Sequence, residues 1–242
     1  MPYYQDAAVT IYQGDCRDIL PTLPRVDLCL TDPPYGETSL PWDRWVDGWL
    51  DILSTDNLWC FGSMRMFMER VSAFRSWRLA QDIVWEKHNG SGFHADRFKR
   101  IHEHVCQFYR GEWANVYKKP VTTPDAVARV IRTKAHPPHM GRIEATPYVS
   151  EDGGPRLQRS IIKVRSCHGY ADHPTQKPVG IIIPLLEYSV PPNGIVLDPF
   201  AGSGSTSDAA RRIGLRSIGI EIDERACEAA AKRMSQAVLV VP

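Results

Sequence analysis

Two short apolar runs, residues 26–30 and 195–197, end at or just before an aspartate-proline pair, one near each end of the chain. The first opens the loop Asp32-Pro33-Pro34-Tyr35 and the second opens Asp198-Pro199-Phe200-Ala201-Gly202-Ser203-Gly204. A buried strand that runs straight into a conformationally restricted loop is the unit of a parallel α/β sheet, in which loops at strand ends carry function. The remaining pattern agrees. Further strands are expected at 9–12, 58–61, 79–85, 104–109 and 216–220. Helices are expected at 42–53, 65–74, 205–213 and 224–234, where apolar residues recur at three-and-four spacing. A chain of 242 residues suffices for one such core with a small insert.

The first loop suits one chemical problem. The lone pair of an exocyclic base amine is delocalised into its ring, so the amine attacks only when acceptors hold its hydrogens. Asp32 supplies a carboxylate and Pro33 a carbonyl. Pro33 and Pro34 fix φ near −65° and so set these acceptors in advance. Tyr35 offers a face on which an extruded base can stack. The second loop suits a nucleoside cofactor: a strand, a glycine turn through Gly202 and Gly204, and a helix start at Ser205-Thr206. Glu221, at the end of the following strand, can accept both ribose hydroxyls.

Charge is uneven along the chain. Residues 61–170 hold 19 Lys+Arg against 10 Asp+Glu, whereas the whole chain holds 29 against 28. A basic middle between acidic ends predicts a phosphate-contacting surface. Its candidate residues are Lys87, Arg97, Lys99 and Arg100, which follow a strand, and Lys118, Lys119 and Arg132, with Arg129, Lys134 and Arg142 beside them. Residues 111–158, punctuated by breakers, are expected to be an inserted recognition segment within a single domain spanning 1–242. The six cysteines stand singly without a CxxC pair, and His102, His104, His136 and His139 have no ligand-spaced partners, so no metal is expected. No apolar stretch reaches membrane-spanning length and no secretory signal opens the chain. A cytoplasmic protein is the expectation.

With these residues in view, the chain resembles the amino-methylating (N6-adenine or N4-cytosine) DNA methyltransferases of the class whose catalytic motif precedes the cofactor motif. The resemblance rests on Gly14-Asp15-Cys16, residues 26–36 with the Asp-Pro-Pro-Tyr loop, Trp85-Glu86-Lys87, His102-Glu103-His104, and His173-Pro174-Thr175-Gln176-Lys177-Pro178 leading to residues 198–206. It implies an α/β fold with a Rossmann-like, seven-stranded methyltransferase sheet in circularly permuted order. It also implies S-adenosylmethionine as methyl donor and double-stranded DNA as substrate. Asp15 would lie at the cofactor's adenine, Glu221 at its ribose, the loop from Phe200 through Gly202 to Gly204 around its methionine part, and Thr175, Gln176 and Lys177 at its amino-acid end, with Cys16, Asp198 and Thr206 also binding it. A homodimer and a cognate restriction enzyme are further implications. Asp at the first motif position favours adenine over cytosine within the family. An N4-cytosine enzyme is the alternative. A non-catalytic DNA-binding homologue is disfavoured because both loops are intact. Pro184, inside the helix expected after Lys177-Pro178, predicts a kink or an irregular start.

Overall fold

The computed structural model describes residues 1–91, 95–131, 148–167 and 176–236. The chain forms two compact units, Met1–Lys119 with Ser160–Pro242, and Pro120–Arg159. In the first unit the strands are β1 (Tyr4–Gln5), β2 (Val9–Gln13), β3 (Leu28–Thr31), β4 (Asn57–Gly62), β5 (Arg78–Ser91) and β6 (Arg100–Tyr109). The second unit holds β7 (Thr122–Thr123), β8 (Arg129–Ile131), β9 (Tyr148–Ser150) and β10 (Arg156–Leu157), paired as two small antiparallel ladders, β7 with β10 and β8 with β9. The first unit resumes with β11 (Ile161–Lys163), β12 (Ile195–Asp198) and β13 (Arg216–Glu221). Its helices are α1 (Cys16–Ile19), α2 (Met64–Glu69), α3 (Val179–Ser189), α4 (Ser205–Arg212) and α5 (Glu224–Ser235).

The large sheet runs β1-β2-β13-β12-β3-β4-β6-β5-β11. Its seven central strands are the expected Rossmann-like sheet, with the short β1 and β11 added at the edges. Strands β2, β13, β12, β3 and β4 are mutually parallel, and β6 is antiparallel to both its neighbours. The permuted order is visible in the middle of the sheet. There β3, from the first part of the chain, pairs with β12, from the last, through Val196 opposite Leu28 and Leu197 opposite Cys29. Both motif loops therefore leave adjacent strands at the same carboxyl edge, where ligands bind in sheets of this kind.

Both faces of the sheet are covered, which is why its central strands read as unbroken apolar runs. Leu28, Leu30 and Val196 face α3 and α4 through Ile181, Ile182, Leu185, Leu186, Ala209 and Ala210. Cys29 and Leu197 face the other way, onto Trp49, Leu50, Leu53, Met66 and Phe74. Helix α3 runs through Pro184. All six cysteines are buried and free, and among the described residues no helix is long and apolar enough to cross a membrane.

Two helix expectations need correction. Residues 42–53 form turns rather than a helix. Gly48 takes φ +84° there, and the Asp43 carboxylate turns back to accept the N–H groups of Gly36, Glu37 and Thr38. The periodic apolar residues Trp49, Leu50 and Leu53 are buried all the same, so the spacing marked a core-facing segment without marking a helix. Residues 65–74 break at Arg70, φ −108° and ψ 15°, into α2 and a 3₁₀ turn over Val71–Phe74.

Candidate active site

Asp32 follows β3 directly, with Pro33 buried and Pro34 half-buried behind it. Its carboxylate is occupied on both oxygens. The Tyr35 hydroxyl donates to Oδ1 at 2.6 Å, and the Lys177 ammonium donates to Oδ2. Lys177 arrives from the turn before α3, and its Nζ also lies 3.4 Å from Glu103 Oε2 on β6. The other Glu103 oxygen accepts from Lys87 on β5, whose Nζ sits 4.9 Å from the centre of the Trp85 ring. Two carboxylates and two ammonium groups thus alternate in one cluster. The Lys177, Lys87 and Glu103 side chains are 10%, 13% and 14% exposed, and Asp32 is 22% exposed.

The charges tune one another. Burial pushes the Asp32 carboxyl up, Lys177 pulls it down and the Glu103 charge raises it again, leaving it above its usual value. For Glu103 burial is outweighed by Lys177 and Lys87, and its pKa falls to about 2. Lys177, despite burial, is held above the ordinary lysine range by Asp32 and Glu103. The Tyr35 phenol is driven up by burial and by the charge of Asp32, so it remains a donor. The loop beyond Tyr35 is fixed by Asp43, which, against the effect of its burial, is kept below the usual carboxylate range by the donors of residues 36 and 38.

Asp198 ends β12 beside this loop. It too is buried, but its donors are neutral. Thr31 Oγ1 donates to Oδ1 at 2.7 Å, Thr206 Oγ1 to Oδ2 at 2.7 Å, and the Phe200 N–H to Oδ1 at 3.1 Å. Burial raises its pKa to about 6. The glycine turn depends on backbone freedom at two positions. Gly202 takes φ +51°, with open space where a side chain would stand. Gly204, at φ +79°, would bring a Cβ within 3.1 Å of Ala230. Gly202 donates its N–H to Glu221 Oε2 at 2.8 Å, and Asp223 donates to the other oxygen at 2.9 Å. The Glu221 carboxylate is therefore aimed before any ligand arrives. Its backbone carbonyl accepts the Gly14 N–H at 2.9 Å, which ties the turn carrying Asp15 to the end of β13.

A cleft of about 430 Å³, including space open to solvent, joins the two loops. Asp32, Phe61, Gln176, Lys177, Asp198, Phe200, Gly202 and Thr206 are among its lining residues. Asp15 caps α1 and binds Arg17. The Cys16 thiol faces the core, so only the Cys16 backbone can reach a ligand. Thr175 and Arg132 lie outside the described residues, as do Lys134, Arg142, His136, His139 and His173.

The basic candidates divide. Lys87 is turned inward onto Glu103. Lys118 spends its ammonium on the carbonyls of Trp113 and Val116 and lies 4.7 Å from the Trp113 ring centre. Arg97, Lys99 and Arg100 are exposed at the end of the β5–β6 hairpin, and Lys119 is also exposed. Arg97 pairs with its neighbour Asp96, and Arg100 lies 3.9 Å from Glu37. Sequence reasoning missed Glu103 and Asp43 as parts of the site. Glu103 carried a signal, an acid in a strand otherwise becoming apolar. Asp43 carried none. Among the described residues no group of His, Cys, Asp and Glu is placed to hold a metal ion.

A family model described as DNA methylase matches residues 26–232. The putative methylase YubD of Escherichia coli (strain K12) is 32% identical over 236 residues, covering 92% of this chain and 88% of its own. The crystal structure of the M1.HpyAVI–SAM complex superposes with a TM-score of 0.65 at 23% identity, covering 94% of this chain and 100% of that one. The cytosine-N4-specific PvuII DNA methyltransferase gives a TM-score of 0.67 at 14% identity, covering 98% and 90%. At these identities the two solved structures show a common fold.

Proposed function

The chain belongs to the DNA methylase family, and we propose that within it this protein methylates the N6 amine of an adenine turned out of duplex DNA. It is an S-adenosylmethionine-dependent DNA methyltransferase. The observation that carries the finer reading is Asp32, a carboxylate on a proline-stiffened strand end, facing the same cleft as the glycine loop. The choice of adenine rests on Asp at the first motif position, the form that adenine enzymes of the family mostly carry.

The residues present fit the cofactor. Glu221, fixed by two backbone N–H groups, would take the ribose hydroxyls. The loop from Phe200 to Gly204, with its open left-handed turn at Gly202, would lie against the methionine part, and Asp15 and the Cys16 backbone would lie at the adenine. Thr175 and Lys177 would lie at the amino-acid end. When bound, the cofactor supplies a methyl group on a sulfonium whose departure leaves a neutral thioether. The chain's own work is on the amine. The Asp32 carboxylate accepts one N–H and the Pro33 carbonyl the other, drawing the nitrogen toward tetrahedral geometry so that its lone pair can be used. The half-buried Tyr35 ring provides the stacking face, and its hydroxyl holds Asp32 in place.

Arg97, Lys99 and Arg100 flank Phe98, which is fully exposed, and this hairpin end is the surface assigned to DNA. Cations supply phosphate contact there and the aromatic ring a stacking surface. Arg132 and Lys119 are assigned to the same role, with residues 111–158 as the target-recognition segment. Incubation with labelled S-adenosylmethionine and unmethylated duplex DNA, followed by digestion to nucleosides, should yield N6-methyladenine. N4-methylcytosine would overturn the base assignment, and transfer to neither base would overturn the reading.

A further inference from the structure

The β5–β6 hairpin is longer than the sheet it belongs to. Strand β4 ends at Gly62, opposite His104 of β6. Residues 100–103 of β6, with 85–91 of β5 beside them, therefore run on past the carboxyl edge where the Asp32 cleft opens. Four further residues of strand amount to roughly 13 Å, more than the roughly 8.5 Å depth of a DNA major groove. The far end of this ribbon is held in several ways. Ser91 pairs with Arg100, and the Lys99 stem lies across Gly90 so closely that a Cβ there would stand 2.5 Å from it. Arg97 pairs with Asp96 at 2.7 Å, and Arg100 lies 3.9 Å from Glu37 in the loop that follows Tyr35. Between these held cations the Phe98 ring is fully exposed. Among the described residues only the terminal Met1 exposes a large apolar side chain as completely.

We propose that Phe98 is a wedge that enters the base stack of the duplex where the target base leaves it. The inference rests on the DNA-methylating reading of Asp32. Turning a base out of the duplex breaks its stacking on both faces and leaves a gap between its neighbours. A flat apolar side chain that fills the gap restores stacking to those neighbours and keeps the base from returning. Tyr35 cannot serve there, because it packs against the core beside Asp32. Tyr35 receives the base, and Phe98 occupies the place it has left. The overshoot of the hairpin separates the two roles, since a base held in the cleft and the stack it came from must lie apart by at least the depth of a groove. Arg97, Lys99 and Arg100 suit the same placement, because a ring that enters the stack brings its neighbours to the phosphates on either side. The surface cost of an exposed Phe in the free protein is then offset when the ring is buried between bases.

The test is Phe98→Ala, assayed by single-turnover methylation of two oligonucleotide duplexes that carry the site read by sequencing the methylated product. In one the target base is paired normally, and in the other it stands opposite an abasic position, so no base pair has to be opened. Because the ring is exposed, thermal melting and S-adenosylmethionine binding should match wild type. The rate should fall about tenfold or more on the paired duplex and less than about threefold on the abasic one. Phe98→Leu, which keeps an apolar wedge, should recover most of the loss. A wild-type rate for Phe98→Ala on the paired duplex overturns the proposal. So does an equal loss on both duplexes, which would make the ring a source of general affinity only. A wild-type protein that binds the cofactor but methylates no DNA overturns the functional reading beneath it, before any variant is made.

Discussion

Asp32 and Asp198 stand at the ends of adjacent parallel strands, both held in the protein interior, yet they are satisfied in opposite ways. Asp198 accepts from two hydroxyls and a backbone N–H, all neutral and all fixed by secondary structure. Asp32 accepts from one hydroxyl and one ammonium. Neutral donors cannot repay the desolvation of a carboxylate in full, so Asp198 keeps a pKa raised to about 6 by its burial. A cation repays more of it but on a flexible stem that can be displaced. The difference separates a carboxylate that holds a loop from the one that the proposed reaction would use. Thr31, at the end of β3, donates to Asp198 while its neighbour Asp32 lines the cleft, so a single strand end serves both.

The largest expected effect follows from that division. Asp32→Asn keeps the shape but replaces one acceptor oxygen by a donor, which repels an amine N–H. The methylation rate should fall by at least about 10²–10³-fold, the magnitude seen when one positioned hydrogen bond to a transition state is removed. Cofactor binding, measured by calorimetry, should persist. Activity near wild type in Asp32→Asn would break the comparison at its root.

Next in size is the loop-holding role of Asp198. Thr206→Val removes the one hydrogen bond to Oδ2 and leaves a buried carboxylate oxygen without a donor. That should cost about 1–3 kcal/mol, or several degrees of thermal midpoint for a chain of this size. If melting were unchanged, the neutral hydrogen bonds would not be what fixes the cofactor loop.

The two kinds of satisfaction were unequally legible in the sequence. Asp198, Gly202, Gly204 and Glu221 form a local strand-turn-helix-strand pattern, and each position is dictated by neighbours close in the chain, so the loop could be read residue by residue. Asp32 was legible for the same reason. Its partners were not, because Lys177 and Glu103 reach it from α3's entry and from β6, and only the order of strands in the sheet decides that these meet. The failed helix at 42–53 has a related cause. Its apolar spacing is genuine and Trp49, Leu50 and Leu53 are buried, but Gly48 and the inward turn of Asp43 fix the backbone by interactions that periodicity does not register. Lys87 looked like a surface cation because its charge is visible in sequence and its partner is not.

Asp198, with neutral donors only, and Glu103, which faces two ammonium groups, predict opposite pH behaviour. Asp198 has a folded pKa above its unfolded value of about 3.8, so its contribution to stability is fully present below about 3.8 and is lost as pH rises through about 6. Glu103 has a folded pKa lowered to about 2, so its contribution is present above about 4.5 and is lost as pH falls toward 2. Relative to Asp198→Asn, wild-type protein should therefore gain stability between pH 7 and pH 5, on the order of 1–3 kcal/mol. Denaturant unfolding at a series of pH values measures this. A constant difference between the two proteins across that window would mean that Asp198 is no harder to ionise than an exposed aspartate.

The smallest effect concerns charges outside the cluster, and it tests whether buried and exposed cations are separable. Arg97 and Arg100 stand exposed at the hairpin end, where each can neutralise one phosphate. Changing either to Ala should weaken DNA binding at low salt and reduce the slope of log affinity against log salt by about 0.9 for each phosphate left without its cation. Cofactor binding should be untouched. Lys87→Met should leave that slope where it is, because Lys87 faces Glu103 rather than solvent. Binding titrations at several salt concentrations distinguish the cases. A reduced slope for Lys87→Met would put its ammonium at a phosphate in the complex rather than on Glu103.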